Sequence, residues 1–347
     1  MIAGLWGLGA ALKAPKAQRW LLILILLVAV VGVTTVFPES HGLRIAFGGT
    51  PAPYLLALGF GAVFWVYRTG LAALRRKADR GGDDAAGAPS QSGTFTSSEL
   101  DRYARHIVLR EIGGPGQKAL KSASVLVIGA GGLGAPVLQY LAAAGVGTIG
   151  VIDDDVVENA NLGRQVIHAD AGIGMPKVFS AQAAMEAQNP HITVRPYHRR
   201  LTAEIATDLC AEYDLILDGS DNFETRYLVN RTAAALGTPL VSGALSQWEG
   251  QLSVFDPARG TPCYKCIFPS APDPALAPSC AEAGVVGPLP GVVGTMMALE
   301  AVKCLTGAGA DLRGTLLIYD GLYGETRKLT LKPRADCPVC AAKETAQ

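Results

Sequence analysis

The chain has 347 residues, which is enough for one large domain with appendages. Its 30 basic and 30 acidic side chains cancel, so nothing in the charge points to bulk nucleic-acid binding. Seven cysteines are few for a disulfide scaffold of this size.

Two long apolar segments come before everything else in the chain. Residues 20–37 and 45–67 carry no charged side chain, and about 18–20 helical residues cross a hydrocarbon core. We therefore predict a two-helix transmembrane hairpin within residues 1–80, with helices at about 20–37 and 47–67. Buried helices of a soluble domain and a signal peptide are the alternatives.

Basic residues flank this predicted hairpin on its two outer sides. Lys13, Lys16 and Arg19 precede the first segment, and Arg44 is the only Lys or Arg between the two. The residues after the second segment are Arg68, Arg75, Arg76, Lys77 and Arg80. Because positive charge stays on the cytoplasmic side, we predict a multi-pass inner-membrane protein with both termini and the remaining domain in the cytoplasm.

A short polar segment separates the hairpin from the main domain. Residues 81–98 are rich in Gly, Ala, Ser and Asp without apolar periodicity, which predicts a flexible linker. From residue 99 to 342, strand and helix signals alternate, which favours an α/β fold with a Rossmann-like sheet. The last strands follow one another without full helices between them, so a mixed or antiparallel extension is expected.

The predicted elements of this domain follow in chain order. The strands are Ser124–Ile128, Thr148–Ile152, Ile192–Pro196, Leu215–Leu217, a short one at Leu240–Val241, Gln251–Phe255, Leu316–Tyr319 and Lys328–Leu331. The helices between them include Leu133–Ala144 and Pro176–Ala187, with Pro176 suited to a first helical turn.

A glycine-rich loop follows the first predicted strand. Its glycines, Gly129, Gly131, Gly132 and Gly134, would let backbone N–H groups approach an anion at a helix N-terminus. Asp153 ends the next strand, where an acid can bind ribose hydroxyls. Taken alone, this pattern is compatible with any nucleotide, or with tight strand–helix packing and no ligand.

Polar residues downstream favour a triphosphate with its metal over a dinucleotide redox cofactor. A helical turn would put Asn161 and Arg164 on one face. Lys177, in a first helical turn, opposes the helix dipole, which suits a phosphate ligand better than a structural role; a solvated surface lysine is the alternative. Asp221 is expected to close a strand and can hold Mg²⁺, and a turn-capping role beside Asn222 is its alternative.

Four cysteines form two Cys-x-x-Cys pairs. Cys263 with Cys266 and Cys337 with Cys340 have the spacing of a tetrahedral, structural zinc site, whereas a redox dithiol would need only one pair. Such a site would tie a loop after the sheet to the C-terminal tail.

The three other cysteines carry less information. We predict that Cys210 and Cys304 are buried, the latter in an apolar-periodic helix at Thr295–Leu305. Cys280 lies in a Pro- and Ala-rich loop, where a thiol can form a thioester or persulfide or be inert.

From about residue 99 to 340 the chain resembles the ThiF/MoeB/HesA family, the bacterial relatives of ubiquitin-activating enzymes. The matching segments, in chain order, are RYAR at 102–105, GAGGLG at 129–134, the segment 153–155, NLGRQ at 161–165, GMPK at 174–177, DGSDN at 218–222, residues 242–251, both CxxC pairs and the loop 280–287. The cysteine pairs and residues 282–287 favour the molybdopterin-synthase adenylyltransferase and thiamine sulfur-carrier branches.

The resemblance implies an ATP-dependent adenylyltransferase. Its substrate would be a ubiquitin-like sulfur carrier whose C-terminal Gly-Gly carboxylate attacks the α-phosphate of ATP, giving an acyl-adenylate and pyrophosphate. The implied ATP-binding residues are Gly129, Gly131, Gly132, Gly134, Asp153, Asp155, Asn161, Arg164, Gln165, Lys177, Asp221 and Asn222. The implied catalytic residues are Asp221, which also holds Mg²⁺, Arg105, Arg164, Lys177 and, with its role left open, Cys280.

Further partners follow from the same resemblance. Arg105 matches an arginine that crosses a dimer interface to the γ-phosphate, which implies a homodimer. Sulfur would come from a separate desulfurase or rhodanese, and no nucleic-acid partner is expected. The carrier could be of the molybdopterin-synthase type or serve thiamine-thiazole, tRNA-thiolation or cysteine pathways. A dinucleotide oxidoreductase and a non-catalytic membrane scaffold are the more distant alternatives.

Overall fold

The computed structural model divides the chain into two compact units, Met1–Gly93 and Thr94–Gln347. It describes residues 16–38, 40–48, 50–56, 58–60, 62–63, 66–69, 95–272 and 283–341. The predicted linker therefore lies mostly outside the described residues.

The first unit is helical wherever it is described. Helix α1 spans Lys16–Val36 and helix α2 spans Gly42–Ala46, and the described residues from 52 to 56 and within 58–69 are also helical. Two threonines of α1 hydrogen-bond back to its own carbonyls, Thr34 to Val30 at 2.9 Å and Thr35 to Val31 at 2.8 Å. These bonds satisfy the hydroxyls inside an apolar helix.

The helical content agrees with the predicted hairpin, but membrane insertion is not confirmed. Among the described residues, one helix is long and apolar enough to cross a bilayer, Pro288–Thr306, and 44% of its apolar window is buried. That helix packs into the core of the second unit. Ile25–Val36, within α1, is an apolar stretch shorter than a full span.

The second unit is a layered α/β fold. Its helices are α3 Ser97–Arg102, α4 Ala104–Ile107, α5 Gly113–Ser122, α6 Gly134–Ala144, α7 Lys177–Gln188, α8 Ala203–Cys210, α9 Phe223–Leu236, α10 Tyr264–Ile267 and α11 Pro288–Thr306. Its strands are β1 Ser124–Ile128, β2 Thr148–Ile152, β3 Thr193–Tyr197, β4 Leu215–Asp218, β5 Leu240–Leu245, β6 Glu249–Phe255, β7 Thr315–Asp320 and β8 Glu325–Thr330.

These strands form one mixed sheet in the order β3-β2-β1-β4-β5-β6-β7-β8. The first five pair in parallel, and β6, β7 and β8 extend the sheet antiparallel. The predicted Rossmann-like fold and its antiparallel extension are thus confirmed. Strand order reverses beside β1, and in open α/β sheets ligands bind at the carboxyl ends of the strands at such a point.

Apolar layers cover both faces of this sheet. One core joins β1, α6, α7 and α11 through side chains such as Leu138, Met185 and Met297, all fully buried. The other lies under α8 and α9 and contains Ile216 and Cys210. Cys210 is buried as predicted, although it ends a helix, and the partly buried Cys304 packs against the first core.

Candidate functional site

The glycine loop turns sharply between β1 and α6. Gly129 has a φ of +92°, which favours glycine, and a Cβ on Gly134 would overlap the carbonyl oxygen of Gly129. A Cβ on Gly132 would lie 3.0 Å from Pro290 at the start of α11. The loop backbone is therefore packed closely on both sides, and Gly131 and Gly132 remain partly exposed at the helix N-terminus.

Asp153 holds the glycine loop from the end of β2. Its Oδ2 accepts a 2.7 Å hydrogen bond from the Ala130 N–H, and its Oδ1 accepts a 2.8 Å bond from the Asp155 N–H. Burial raises the pKa of Asp153, and these two hydrogen bonds act in the opposite direction. The side chain is half-buried, so it faces the loop and is also partly open to solvent.

Lys177 is buried, which excludes a solvated surface lysine. Its side chain is 5% exposed, and Nζ lies 2.6 Å from Oδ2 of Asp155, whose side chain is 66% exposed. The ion pair supplies the buried ammonium with a carboxylate at the edge of the site. Pro176 was predicted in the first helical turn, but it is the N-cap of α7, because Lys177 is the first helical residue.

Asn161 and Arg164 meet as predicted, on a 3₁₀ turn. The Arg164 guanidinium donates to Oδ1 of Asn161 at 3.4 Å and to the Ala160 carbonyl at 3.1 Å. Gln165 follows and is 4% exposed, with its amide close to Gly131. Within the described residues its buried Oε1 has no hydrogen-bond partner.

The second loop of the site follows β4 and lies against the glycine loop. The Gly219 N–H donates to the Ile128 carbonyl at 3.0 Å. Asp221 was predicted to close the strand, which is wrong: β4 ends at Asp218, and Asp221 lies in the exposed loop beyond it. Asn222 caps α9 by accepting a 2.9 Å bond from the Thr225 N–H.

A buried charge pair supports this second loop. Asp218 is 1% exposed, and its Oδ1 accepts from both the N–H and the hydroxyl of Ser220, at 2.9 and 2.6 Å. Arg226 donates to the Ser220 carbonyl and places Nη1 3.8 Å from Oδ2 of Asp218. Ser220 is therefore held at each of its polar groups, directly before Asp221.

The four paired cysteines converge as predicted. Their sulfur atoms lie within 4.8 Å of one another, with Cys263 at 3.8 Å from Cys266 and 3.6 Å from Cys337, and Cys266 at 3.3 Å from Cys340. Two N–H groups point at these sulfurs, from the Asn230 side chain and from the Arg334 backbone. Such donors commonly support metal-bound thiolates.

This geometry fits a tetrahedral zinc ion. A Zn–S distance of about 2.3 Å places the four sulfurs of a regular tetrahedron about 3.8 Å apart, close to the separations found here. The side-chain oxygen of Asn230 accepts from the Tyr264 N–H at 2.8 Å. The cysteine cluster is therefore tied to α9, the helix that starts just after Asp221.

Residues 103–339 match the ThiF family. The match covers well over half of the chain and includes both loops of the site and three of the four clustered cysteines; Cys340 lies one residue beyond its end. The chain belongs to the ThiF family. Residues 1–102 lie outside this match.

Several curated ThiF relatives are similar over most of their length. The chain is 52% identical to a sulfur carrier protein adenylyltransferase of Thermus thermophilus over 255 residues, 72% of this chain and 94% of the relative. It is 47% identical to the SAMP-activating enzyme E1 of Haloferax volcanii, covering 71% of this chain and 91% of that enzyme. A probable adenylyltransferase/sulfurtransferase, MoeZ of Mycobacterium tuberculosis, is 49% identical, and the match spans 63% of it.

Solved structures share the fold. Escherichia coli MccB with MccA-N7isoAsn has a TM-score of 0.62 at 22% identity, covering 69% of this chain and 74% of that one. SeMet PaaA has a TM-score of 0.60 at 19% identity. At these identities the likeness concerns the ThiF fold alone.

Most of the predicted ATP-binding residues meet at one edge of the ThiF fold. The glycine loop, Asp153 and Asp155, the 161–165 turn, Lys177 and the 218–222 loop all follow the carboxyl ends of β1, β2 and β4 or the start of α7. Arg105 does not join them within one chain. It is exposed on α4, next to Tyr103, which packs on Gly145 at the far end of α6, about 16 Å along that helix from Gly134.

One predicted site residue, Cys280, lies outside the described residues. Other residues of the site were not predicted from the sequence. His168 and Arg226 contact the two loops and were not predicted, and Asp218 was noted only as a member of the 218–222 segment, without a role of its own. Asp218 could have been found because it directly ends a buried strand, whereas His168 and Arg226 had no distinguishing spacing.

Proposed function

We propose that this ThiF-family protein adenylates the C-terminal glycine carboxylate of a ubiquitin-like sulfur carrier with ATP. The observation that carries the proposal is the meeting of a glycine loop, two cationic side chains and an exposed carboxylate at one sheet edge. The similar relatives named as a sulfur carrier adenylyltransferase and as a SAMP-activating E1 enzyme support the carrier as substrate.

The reaction needs positioning and charge neutralisation rather than a protein nucleophile. A carrier carboxylate oxygen attacks the α-phosphorus of ATP, a C–O–P linkage forms, and the bond from that phosphorus to the bridging oxygen of pyrophosphate breaks. The loop N–H groups at Gly131 and Gly132 would bind phosphate oxygens, and Asp153 would accept from the ribose hydroxyls. Arg164 and Lys177 would stabilise the charge that develops on the leaving pyrophosphate.

Lys177 is already prepared for this role. Its buried ammonium pairs with the carboxylate of Asp155, so a phosphate can replace or share that partner while the lysine side chain stays in place. The same buried position makes the interaction stronger than that of a surface lysine. Asp155 then acts as the group that keeps Lys177 at the phosphate position in the free enzyme.

The metals have separate roles in this proposal. Asp221 is an exposed carboxylate at the site edge, and Mg²⁺ is commonly bound by one or two carboxylates together with phosphate oxygens. Zinc on Cys263, Cys266, Cys337 and Cys340 would be structural, because four thiolates leave no open coordination position.

A homodimer would complete the site. Arg105 lies far from the glycine loop of its own chain, so its implied contact with the γ-phosphate requires a second copy. Its exposed side chain supports that arrangement. The sulfur donor would be a separate desulfurase or rhodanese.

For the first unit we propose a membrane hairpin that anchors the enzyme at the cytoplasmic side of the inner membrane. Large apolar side chains are exposed on both helical segments, including Ile25 and Val28 on α1 and Leu56 and Phe60 beyond it. Exposed apolar surface of this extent suits lipid, and the basic flanks suit the orientation. Recovery of the full-length protein in the soluble fraction after cell lysis, without detergent, would refute this anchor.

Pyrophosphate exchange tests the activity. The full-length protein in detergent, with ATP, Mg²⁺ and a Gly-Gly-ended carrier, is expected to exchange labelled pyrophosphate into ATP. Asp221→Ala should abolish exchange, whereas Glu224→Ala, a neighbouring acid with an 88% exposed side chain, should retain it. Absence of exchange with carriers of the molybdopterin, thiamine and tRNA-thiolation types would refute the proposal, and the preferred carrier among them identifies the pathway.

A further inference from the structure

The peptide groups of Ala130, inside the glycine loop, are held from both sides. The N–H donates to Asp153 at 2.7 Å, and the carbonyl lies 2.9 Å from Nε2 of His168. Ala130 is fully buried, so water does not compete for either bond. The orientation of the next peptide, which carries the Gly131 N–H, depends on these two bonds because they fix the Ala130 backbone.

The hydrogen bonds of His168 determine its tautomer. The Ala130 carbonyl can only accept, so Nε2 carries the proton and donates to it. Nδ1 is then the acceptor and receives the hydroxyl proton of Ser180 at 2.9 Å. His168 is 7% exposed, and burial together with the nearby Lys177 charge lowers its pKa, which favours this neutral form.

These contacts close a ring around the phosphate-binding edge. Asp153 holds the Asp155 N–H, Asp155 pairs with Lys177, and Lys177 lies one helical turn before Ser180 on α7. Through Ser180, His168 connects that helix to the Ala130 carbonyl. Two sets of contacts thus link the glycine loop to α7, the helix that carries Lys177. One runs through Asp153 and Asp155, and the other runs through His168 and Ser180.

We propose that His168 is a positioning residue for nucleotide binding: its Nε2–H fixes the glycine loop, and its Nδ1 fixes α7 relative to that loop. The proposal rests on ATP being the nucleotide of the proposed function. The opposing explanation is that His168 only fills space between the loop and α7, in which case its shape matters and its two hydrogen bonds do not.

Two amide substitutions separate the bonds. His168→Gln places an amide N–H near the position of Nε2 and keeps the donor to Ala130, while His168→Asn reaches only the position of Nδ1 and keeps the contact with Ser180. His168→Phe keeps the ring volume and removes both bonds. The order of the ATP affinities of these three variants therefore distinguishes a hydrogen-bonding role of His168 from a packing role.

The measurement is ATP affinity of the full-length protein by direct titration without carrier, followed by KM for ATP and for carrier in pyrophosphate exchange. Leaving the buried Ala130 carbonyl without a donor costs about 1.4 kcal/mol or more. If this cost falls on the loop conformation that binds ATP, the affinity for ATP drops by about tenfold. We expect about tenfold weaker ATP binding for His168→Asn and His168→Phe, a change within about threefold for His168→Gln, and an unchanged KM for carrier.

Ser180→Ala provides the matched control for the second bond. It should weaken ATP binding by a few-fold in the wild-type background and have no further effect in His168→Gln, because the Nδ1 contact is already absent there. If His168→Phe fails to fold, the Gln and Asn variants still carry the comparison. Equal losses for Gln and Asn, or full activity of Phe, would overturn the proposal. Normal ATP binding without any exchange would instead contradict the proposed function and leave the role of His168 intact.

Discussion

The buried pair of Asp218 and Arg226 offers a quantitative test of how the 218–222 loop is held. Both side chains are almost fully buried, at 1% and 7% exposed, and Arg226 is the ionic partner of Asp218 across 3.8 Å. Arg226→Met removes this charge while keeping an unbranched apolar chain of similar length. It leaves the carboxylate of Asp218 and the carbonyl of Ser220 without their guanidinium partner.

The expected loss is large because a buried charge is left uncompensated. Removing one partner of a buried ion pair costs about 3–5 kcal/mol of unfolding free energy, a substantial part of the roughly 5–15 kcal/mol that stabilises a typical domain. Asp218→Asn in the same chain should recover about 1–3 kcal/mol of this loss. The asparagine oxygen can still accept from Ser220, and no unpaired charge remains.

Equilibrium urea denaturation of the full-length protein in detergent measures these differences. Arg231→Met is the matched control, because Arg231 lies on the same helix, α9, but is exposed, and its replacement should change stability by no more than about 0.5 kcal/mol. Pyrophosphate exchange per folded molecule should also fall in Arg226→Met, since Ser220 directly precedes Asp221. A cost below about 1 kcal/mol, or a double variant that simply adds the two single losses, would refute this account of the loop.

Three other predictions concern the metal, the pH dependence and the dimer. Metal analysis should find about one zinc per chain, from the four-thiolate ligand set, and Cys337→Ser should lower both the zinc content and the thermal midpoint; an intact fold without metal would contradict the assignment. Burial and the charge of Lys177 lower the pKa of His168 from its ordinary 6.5. Below pH 6.5 the unfolded chain therefore protonates this imidazole more readily than the folded chain does, and the stability of the fold decreases as the pH falls. His168→Gln should flatten that part of the curve of stability against pH, and parallel curves for wild type and variant would exclude the effect. Mixed Arg105→Ala and Asp221→Ala chains should regain exchange, because a hybrid dimer contains one site with both residues; inactivity of a mixture shown to form hybrids would exclude a role for Arg105 across the interface.

Local patterns were enough to predict the frame of the fold. Ser124–Ile128 and Thr148–Ile152 were predicted with the bounds that the structure has, because each is a continuous apolar run bounded by polar or glycine residues. The strand predicted at Ile192–Pro196 lies one residue later, and the one predicted at Lys328–Leu331 starts at Glu325 and ends at Thr330. All six residues of that edge strand are exposed, so apolar alternation could not mark its beginning.

The candidate site was predicted as a set of residues but not as a set of contacts. Parallel strands bring their carboxyl ends to one edge, so Asp153 and the 218–222 loop had to meet the glycine loop. Which polar side chains pair with each other depends on packing between segments far apart in the chain. The ion pair between Asp155 and Lys177 joins residues 22 positions apart, and the bond from His168 to Ala130 spans 38.

These contacts divide the predicted ATP-binding residues into two groups: those whose side chains already bind another part of the protein, and those whose side chains do not. Asp155 forms an ion pair with Lys177, and the side-chain oxygen of Asn222 caps α9, so both residues have a structural role in the free protein. Asp221 is exposed and therefore open to a ligand, whereas Gln165 has a buried oxygen without a hydrogen-bond partner among the described residues. A replacement of Asp155 or Asn222 should therefore lower stability along with activity, whereas a replacement of Asp221 should lower activity alone. Residues that a motif groups together thus separate, by burial and hydrogen bonding, into those that are open to a ligand and those that hold neighbouring groups in place.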